Sequence, residues 1–242
     1  MKKQIKKLKQ LFGHHSALDQ IAHEETLHVA DSSTRMTRKR MRQINKEFKQ
    51  AFRLLKDHDN TVTFFGSARL PETSEDYKRA RHLADMIVRE TGASVITGGG
   101  PGIMEAANRG AADEHGISIG MTIQLPYEQV TNGYVNRSMD FYYFFSRKVA
   151  LSFAARAYIY FPGGFGTLDE LFEILTLKQT ERIKQIPIVL VGSDFWLPLD
   201  DFIKDTLEER YETIDKSDRE LYVITDNLDE VIKIVQNYKG EA

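Results

Sequence analysis

Three glycine-rich turns in this sequence each follow a short apolar run and precede a helical pattern. Glycine lets the backbone adopt a positive φ and approach an anion closely. The helix after each turn offers unpaired N–H groups and the positive end of its dipole. The turns therefore predict a phosphate site, with the hydroxyl of Thr167 capping the last helix and donating to a phosphate oxygen. Their residues are Gly66, Ser67, Gly98, Gly99, Gly100, Gly163, Gly164, Phe165, Gly166 and Thr167.

Two charged groups accompany these turns. Arg147, with Lys148 beside it, follows an aromatic run at residues 141–145 and opens a predicted helix. An arginine in such surroundings pairs with a carboxylate or phosphate, or else extends its head to the surface. Glu170 lies in the first turn of the helix after the third glycine turn, where the helix dipole also favours an acid. Together they can bind an anion and supply a carboxylate.

The sequence lacks the residues and motifs that several common types of site require. The chain has no cysteine, so it has neither a disulfide framework nor a thiolate nucleophile. Its histidines do not form a ligand set, and no metal site is expected. The dinucleotide pattern G-x-G-x-x-G, read from Gly98, would need glycine where Ile103 stands. The Walker pattern and the nucleophile-elbow pattern G-x-S-x-G are also absent.

The elements that position these groups alternate along residues 61–242. Strands are predicted at residues 61–66, 94–97, 117–122, 157–161, 187–192 and 221–225. Helices are predicted at residues 74–90, 102–115, 147–155, 167–182, 194–211 and 227–238. This alternation predicts an α/β fold, a doubly wound Rossmann-like parallel sheet with helices on both faces. Ligands bind at the carboxyl ends of such strands, which is where the glycines fall.

Residues 1–60 have a different character. They hold 14 Lys and Arg against 7 Asp and Glu, whereas residues 61–242 hold 19 against 28. We predict a basic helical extension before a single nucleotide-binding catalytic domain. Its cations alternate with Leu, Ile and Phe, which favours a solvated amphipathic helix. The acidic composition of residues 61–242 argues against a nucleic-acid partner. The helices of the extension are predicted at residues 5–12, 17–29 and 34–56, with a break at 30–33.

The chain has no apolar run of the roughly 18 residues that a membrane span requires. Its basic N-terminus is not followed by the apolar core of a signal peptide. We therefore expect a cytoplasmic protein without a membrane partner.

The motifs resemble the Lonely Guy family of cytokinin riboside 5′-monophosphate phosphoribohydrolases, formerly labelled lysine decarboxylases. The resemblance rests on residues 98–106, on Arg147-Lys148 and on residues 162–170, and it covers residues 61–238. It implies a homodimer with sites near the subunit interface. It also implies hydrolysis of the N-glycosidic bond of a nucleoside 5′-monophosphate, AMP or a cytokinin riboside monophosphate, to free base and ribose 5-phosphate. No cofactor is expected.

The resemblance makes Arg147 and Glu170 the catalytic pair. Cleavage of a glycosidic bond develops oxocarbenium charge, which a carboxylate can stabilise, attack as a nucleophile or meet with an oriented water. The sequence leaves these roles open, and it offers Glu105 or Glu128 as a second carboxylate. The implied substrate-binding residues are Gly66, Ser67, Gly98, Gly99, Gly100, Met104, Glu105, Glu128, Lys148, Gly163, Gly164, Phe165, Gly166, Thr167 and Thr176.

Two other functions compete with this interpretation. A non-catalytic carrier of nucleotide or molybdenum cofactor would share the glycine turns, but it would not need Arg147 and Glu170 together. A pyridoxal-phosphate decarboxylase would need a Schiff-base lysine. Lys148 and Lys178 are the lysines near a glycine turn, and neither lies in a recognisable context.

Overall fold

The centre of the molecule is a seven-stranded parallel sheet. The computed structural model describes residues 34–124, 131–153 and 155–238. The strands lie in the order β4-β3-β2-β1-β5-β6-β7, and every neighbouring pair is parallel. The predicted α/β fold class is confirmed. The strands are β1 (Thr61–Phe65), β2 (Ser94–Thr97), β3 (Ser118–Ile123), β4 (Arg137–Phe141), β5 (Ala157–Tyr160), β6 (Ile188–Leu190) and β7 (Val223–Ile224).

Helices cover both faces of the sheet. One apolar cluster joins the sheet to α2, α3 and α7, and a second joins it to α1, α4, α5 and α6. The helices are α1 (Thr34–Asp57), α2 (Glu75–Thr91), α3 (Ile103–Asp113), α4 (Phe144–Ser152), α5 (Phe165–Gln179), α6 (Ser193–Phe202) and α7 (Leu228–Asn237). A π-helical stretch (Ile203–Glu208) continues α6, and a 3₁₀ helix (Lys216–Leu221) precedes β7. No helix in the described ranges is both long and apolar enough to cross a bilayer.

One strand was not predicted from the sequence. β4 lies at the edge of the sheet and pairs with β3 alone among the described strands. Arg137 and Asp140 are exposed, whereas Met139 and Phe141 face the core. An edge strand that exposes one face to solvent has no continuous apolar run, so the sequence pattern of this segment does not indicate a strand.

Two helices also begin earlier than predicted. α4 begins at Phe144 and α5 begins at Phe165, so each starts two or three residues before its predicted first residue. The aromatic run before Arg147 is thus partly the first turn of α4. Residues 1–33 lie outside the described part of the chain. They include the helices predicted at residues 5–12 and 17–29 and the break predicted at 30–33.

Helix α1 is docked on the sheet domain. Ala51 is fully buried, and Leu54 and Leu55 pack against the same apolar cluster as α4 and α5. The basic side chains of α1 are mostly exposed, as the amphipathic pattern predicts. The division of the chain at residue 60 stays a prediction, but α1 shares an apolar cluster with the sheet.

The strand order creates a crevice between β1 and β5. The chain runs outward from β1 through β2, β3 and β4, then crosses back so that β5 lies on the other side of β1. In an open parallel sheet, the loops after two such strands leave in opposite directions and separate. The turn after β1 and the turn after β5 therefore border one opening, at the edge where the glycines lie.

A buried polar network holds the turn that follows β2. Asn108 Oδ1 accepts hydrogen bonds from Thr97 Oγ1 (2.6 Å) and Asn132 Nδ2 (3.0 Å), and Asn108 Nδ2 donates to Ser118 Oγ (2.8 Å). Asn132 Nδ2 also donates to the carbonyl of Gly100 (2.9 Å). Since Asn108 is fully buried, each of these groups depends on the others for its partner.

We expect Asn108→Ala to lower the free energy of unfolding by about 2–4 kcal/mol, because it leaves buried hydroxyl and amide groups without partners. Urea denaturation followed by circular dichroism measures this change. The exposed Asn45→Ala is the control and should shift stability little. A similar small effect of both substitutions would contradict the role of the network.

Candidate active site

Backbone hydrogen bonds join the three glycine turns. The Ser67 N–H donates to the carbonyl of Pro162 (3.0 Å), and the Ile103 N–H donates to the carbonyl of Ser67 (3.0 Å). The turn after β1 is thus tied on one side to the turn after β5 and on the other to the start of α3. The three turns form one continuous rim at the carboxyl edge of the sheet.

This rim borders a cleft of about 760 Å³. The cleft contains most of the predicted site residues and several that were not predicted. Its predicted members are Gly66, Ser67, Gly98, Met104, Arg147, Lys148, Gly164, Phe165, Gly166, Thr167 and Glu170. Its other members are Phe64, Phe65, Ala68, Arg69, Phe144, Leu168 and Asp169.

Glu170 lies at the bottom of this arrangement. Its side chain comes from the first turns of α5, the residue is only 8% exposed, and its Oε2 has no hydrogen-bond partner within the described part of the chain. Burial raises the pKa of Glu170 to about 7, against the lowering effect of the Arg147 charge, and the Glu173 charge adds to the rise. The carboxyl is therefore divided between its two protonation states near neutral pH.

Arg147 is the cation that faces Glu170. Its Nε donates to the carbonyl of Met121 (2.7 Å), at the carboxyl end of β3. A Cβ at Gly98 would lie 2.3 Å from Arg147 Nη2, so the glycine makes room for the guanidinium. Burial lowers the pKa of Arg147, and the charge of Glu170 opposes that shift. A guanidinium nevertheless stays protonated in proteins, so the cleft contains a fixed positive charge.

Lys148 is held on the outer side of α5. Its Nζ lies 2.9 Å from Asp169 Oδ2 and 3.1 Å from Glu173 Oε2. Burial lowers the pKa of Lys148, but the hydrogen bonds to both carboxylates outweigh that effect and raise it. These ion pairs fix α4 against α5. They also occupy the acids beside Glu170, which leaves Glu170 itself to face the cleft.

Thr167 does not cap α5 as predicted. The helix begins at Phe165 after the N-cap residue Gly164, and no side chain caps it. Thr167 lies in the first turn and lines the cleft. A Cβ at Gly163 would lie 2.1 Å from Thr167 Oγ1, so this glycine lets the turn close over the threonine. The uncapped N–H groups at this helix start stay available to an anion.

Some predicted residues lie away from the cleft wall. Glu105 accepts a hydrogen bond from Tyr77 Oη (2.9 Å), which joins α3 to α2. Thr176 Oγ1 donates to the Phe172 carbonyl one turn back along α5 (2.7 Å) and is exposed. Their local motif placed them near the site, but their side chains point elsewhere. Gly99, Gly100 and Gly163 support the rim without lining the cleft, and Glu128 lies outside the described residues.

Sequence reasoning missed a third cation of the cleft. Arg69 follows the first glycine turn and is exposed, and its N–H donates to Ser67 Oγ (3.0 Å). A basic residue directly after a glycine turn was the available signal. Phe144 was not recognised as a wall of the cleft, and 44% of its surface is exposed. No pattern separates such residues from ordinary surface aromatics.

The sequence matches the family model described as "possible lysine decarboxylase" over residues 104–235, more than half of the chain. The chain belongs to this family. The resemblance to the Lonely Guy proteins is thereby confirmed, because their names recur among the curated relatives.

Two relatives illustrate the activities named within the family. The pyrimidine/purine nucleotide 5′-monophosphate nucleosidase of Escherichia coli K12 is 32% identical over 165 residues, which are 62% of this chain but only 36% of that protein. The cytokinin riboside 5′-monophosphate phosphoribohydrolase LOG3 of Arabidopsis thaliana is 29% identical over 180 residues, 72% of this chain and 80% of that protein. These names support nucleotide hydrolysis at the level of the family.

Solved structures share the fold at lower identity. A molybdenum cofactor binding protein from Rippkaea orientalis superimposes with a TM-score of 0.54 at 22% identity, over 73% of this chain and 93% of that one. The molybdenum cofactor carrier protein from Chlamydomonas reinhardtii gives 0.54 at 20% identity, over 75% and 99%. At this identity the likeness concerns the fold, which hosts unrelated functions.

Among the described residues, the cleft contains no lysine that suits the decarboxylase chemistry named in the family description. A Schiff-base lysine must reach its cofactor as a neutral amine. Lys148 lines the cleft, but two carboxylates raise its pKa and so favour its charged form. Burial lowers the pKa of Lys178 to about 8, but its Nζ donates to the Leu221 carbonyl (2.7 Å) away from the cleft. Neither side chain fits that role.

The raised pKa of Glu170 makes the stability of the protein depend on pH. The ordinary pKa of this carboxyl is 4.5 and the folded value is about 7, so between these pH values the unfolded chain releases the proton first. Wild-type stability therefore declines as the pH rises through this window. The unfolding free energy of Glu170→Gln minus that of wild type should therefore increase by roughly 3 kcal/mol as the pH rises from 4.5 to 7.

Urea denaturation of both proteins across this pH range measures the difference. The control Glu220→Gln replaces an exposed carboxyl and should give a difference that does not vary with pH. A flat difference for Glu170→Gln as well would mean that the buried carboxyl titrates as it does in water.

Proposed function

We propose that this protein hydrolyses the N-glycosidic bond of a nucleoside 5′-monophosphate to a free base and ribose 5-phosphate. The observation that carries the proposal is the pairing of a buried carboxyl, Glu170, with the guanidinium of Arg147 in a cleft bordered by three glycine turns. A site that only held a nucleotide would gain nothing from a carboxyl buried beside the anion. A hydrolase needs one at the reacting carbon.

The phosphate binds at the start of α5. Gly164, Gly166 and Thr167 line the cleft there, and the helix N-terminus has no side-chain cap. Its N–H groups and the positive end of its dipole attract a dianion. Arg147 adds a fixed charge on the opposite wall, and Arg69 lies at the mouth, where it favours the approach of an anion.

The ribose then lies over Glu170. As the glycosidic bond breaks, its electrons leave with the base nitrogen and positive charge develops at C1′ and the ring oxygen. The ionised carboxylate of Glu170 stabilises that charge, attacks C1′ or orients water. In each case the water oxygen ends on C1′, and a water proton ends on the released base. All three roles require the ionised form, which Arg147 favours.

The base occupies the apolar part of the cleft. Met104, Phe144 and Leu168 lie on this wall, and the largely exposed Phe165 stands at its edge. Apolar and aromatic side chains suit a planar base and also accept a prenyl group. AMP and a prenylated AMP are therefore the two substrates that the proposal names. The homodimer and the cytoplasmic location stay predictions from the sequence.

Purified protein should release adenine from AMP or the modified base from isopentenyladenosine monophosphate, and Glu170→Gln should slow this release by roughly 10³-fold or more. Chromatography of the free base measures both rates, and their ratio identifies the preferred base. The matched control is Glu220→Gln, which replaces an exposed carboxyl that does not line the cleft and should keep the wild-type rate.

Absence of release from either nucleotide, with nucleotide binding retained, would overturn the hydrolase and support a non-catalytic binding protein. Equal rates for wild type and Glu170→Gln would keep the hydrolase but remove Glu170 from its mechanism.

The kcat/KM of the wild type should rise with pH and level off above a midpoint of about 7, because the ionised Glu170 is the active form. The second ionisation of the substrate phosphate lies close by, at about 6. Glu173→Gln separates the two, since the charge of Glu173 raises the pKa of Glu170. In this variant the midpoint should move to lower pH. A midpoint that does not move belongs to another group, such as the phosphate.

A further inference from the structure

The helix that carries Arg147 begins without a cap of its own. The N-cap residue of α4 is Tyr143, and its side chain makes no capping hydrogen bond. The first N–H groups of a helix have no partners within it, so an uncapped start frays unless another group satisfies it. Arg147 stands one turn into this helix, where its N–H donates to the Tyr143 carbonyl (3.2 Å). The position of the guanidinium therefore depends on how this first turn is held.

A carboxylate from α1 accepts hydrogen bonds from groups on either side of the N-cap residue Tyr143. Glu47 Oε1 accepts a hydrogen bond from the Tyr142 N–H (3.1 Å), and Glu47 Oε2 accepts one from the hydroxyl of Ser146, which is fully buried in the first turn of α4. Gln43, one turn earlier on α1, donates its Nε2–H to Glu47 Oε1 (2.8 Å). The negative charge thus lies at the positive end of the α4 dipole.

Burial separates Glu47 from the other charged residues of α1. Glu47 is 1% exposed, and among the described residues its carboxylate accepts hydrogen bonds from Gln43, Tyr142 and Ser146 and forms no ion pair. A buried carboxylate is costly unless the groups around it are arranged to satisfy it. An apolar side chain would pack this position at less cost. The cost is explained if the hydrogen bonds of this side chain fix the start of α4.

Helix α1 also contacts the other end of α4. The ring of Phe52 meets the ring of Phe153, the C-cap residue of α4, edge to face at 5.9 Å. Ala51, between Glu47 and this contact, is fully buried against the sheet domain. α1 therefore spans α4 from its first turn to its last, and Glu47 supplies the polar contact at the end where Arg147 stands.

We propose that Glu47 is a positioning residue for Arg147, so that the helical extension forms part of the working site. This proposal rests on the proposed function, in which Arg147 binds the phosphate or ribose. Glu47 lies outside residues 104–235, which match the family model. Glu47 belongs to the helical extension predicted at residues 1–60. It acts through the first turn of α4, since Ser146 is bonded to Glu47 and Arg147 is the next residue.

A double-mutant cycle on Glu47 and Arg147 tests the proposal. Glu47→Ala should lower kcat/KM for AMP roughly 10–100-fold, because a displacement of about 1 Å at a binding group costs up to that much. Glu47→Gln should keep most of the activity, since an amide can accept from the Tyr142 N–H and donate to Ser146 Oγ. Lys49→Ala, an exposed change on the same helix, is the control and should match wild type.

The cycle separates positioning from general stability. In an Arg147→Ala background, Glu47→Ala should cause little further loss of kcat/KM, because the group that it positions is gone. Its effect on thermal stability should persist in that background. Equal losses in both backgrounds, or unchanged kcat/KM in Glu47→Ala, would overturn the proposal while leaving the hydrolase intact.

Hydrogen exchange gives a reading that needs no turnover. Glu47→Ala should speed amide exchange at residues 143–149, and Glu47→Gln should restore protection there. If the wild type proves inactive, the proposed function fails, and this exchange together with the affinity for ribose 5-phosphate decides the role of Glu47. Unchanged exchange in Glu47→Ala would overturn the inference in either case.

Discussion

The guanidinium of Arg147 is the charge around which this site is built. A cation that is withdrawn from water requires an oriented hydrogen-bond acceptor, an opposite charge and enough space. The absence of any of these raises the free-energy cost of burying it. The Met121 carbonyl provides the acceptor, Glu170 provides the charge and the absent side chain of Gly98 provides the space. These groups come from strand β3, from helix α5 and from the turn after β2. The site therefore exists only when the sheet has its full register.

The same arrangement explains why the two acids on α5 behave differently. Asp169 is exposed and pairs with Lys148, whereas Glu170, the next residue, is buried and one of its oxygens has no hydrogen-bond partner among the described residues. A turn of about 100° along the helix separates an ordinary surface ion pair from a carboxyl whose pKa is raised to about 7. The fold is shared with proteins of other named functions, so the chemistry must be argued from this pair and its cleft.

Much of the fold and part of the site could be predicted from local sequence. Alternating strand and helix patterns have a definite period, and glycine turns at strand ends have a steric reason to be there. Arg147 was singled out because it follows an aromatic run, and Glu170 because it lies just after a glycine turn, and the family resemblance then made them a pair. The edge strand β4 was missed because Arg137 and Asp140 interrupt its apolar residues. Glu105 and Thr176 were placed at the site by motif, although their side chains bond to Tyr77 and to the Phe172 carbonyl instead.

The sequence by itself determined the alternation of strands and helices, the glycine turns at the strand ends and the candidate pair of Arg147 and Glu170, because these depend on residues that are neighbours along the chain. Tertiary structure alone decided which side chains share the cleft and which acid loses contact with water. It also decided that Glu47, 99 residues before Ser146, lies at the start of α4. Burial and pairing over such distances depend on how the helices pack across the sheet, and no local pattern contains that information.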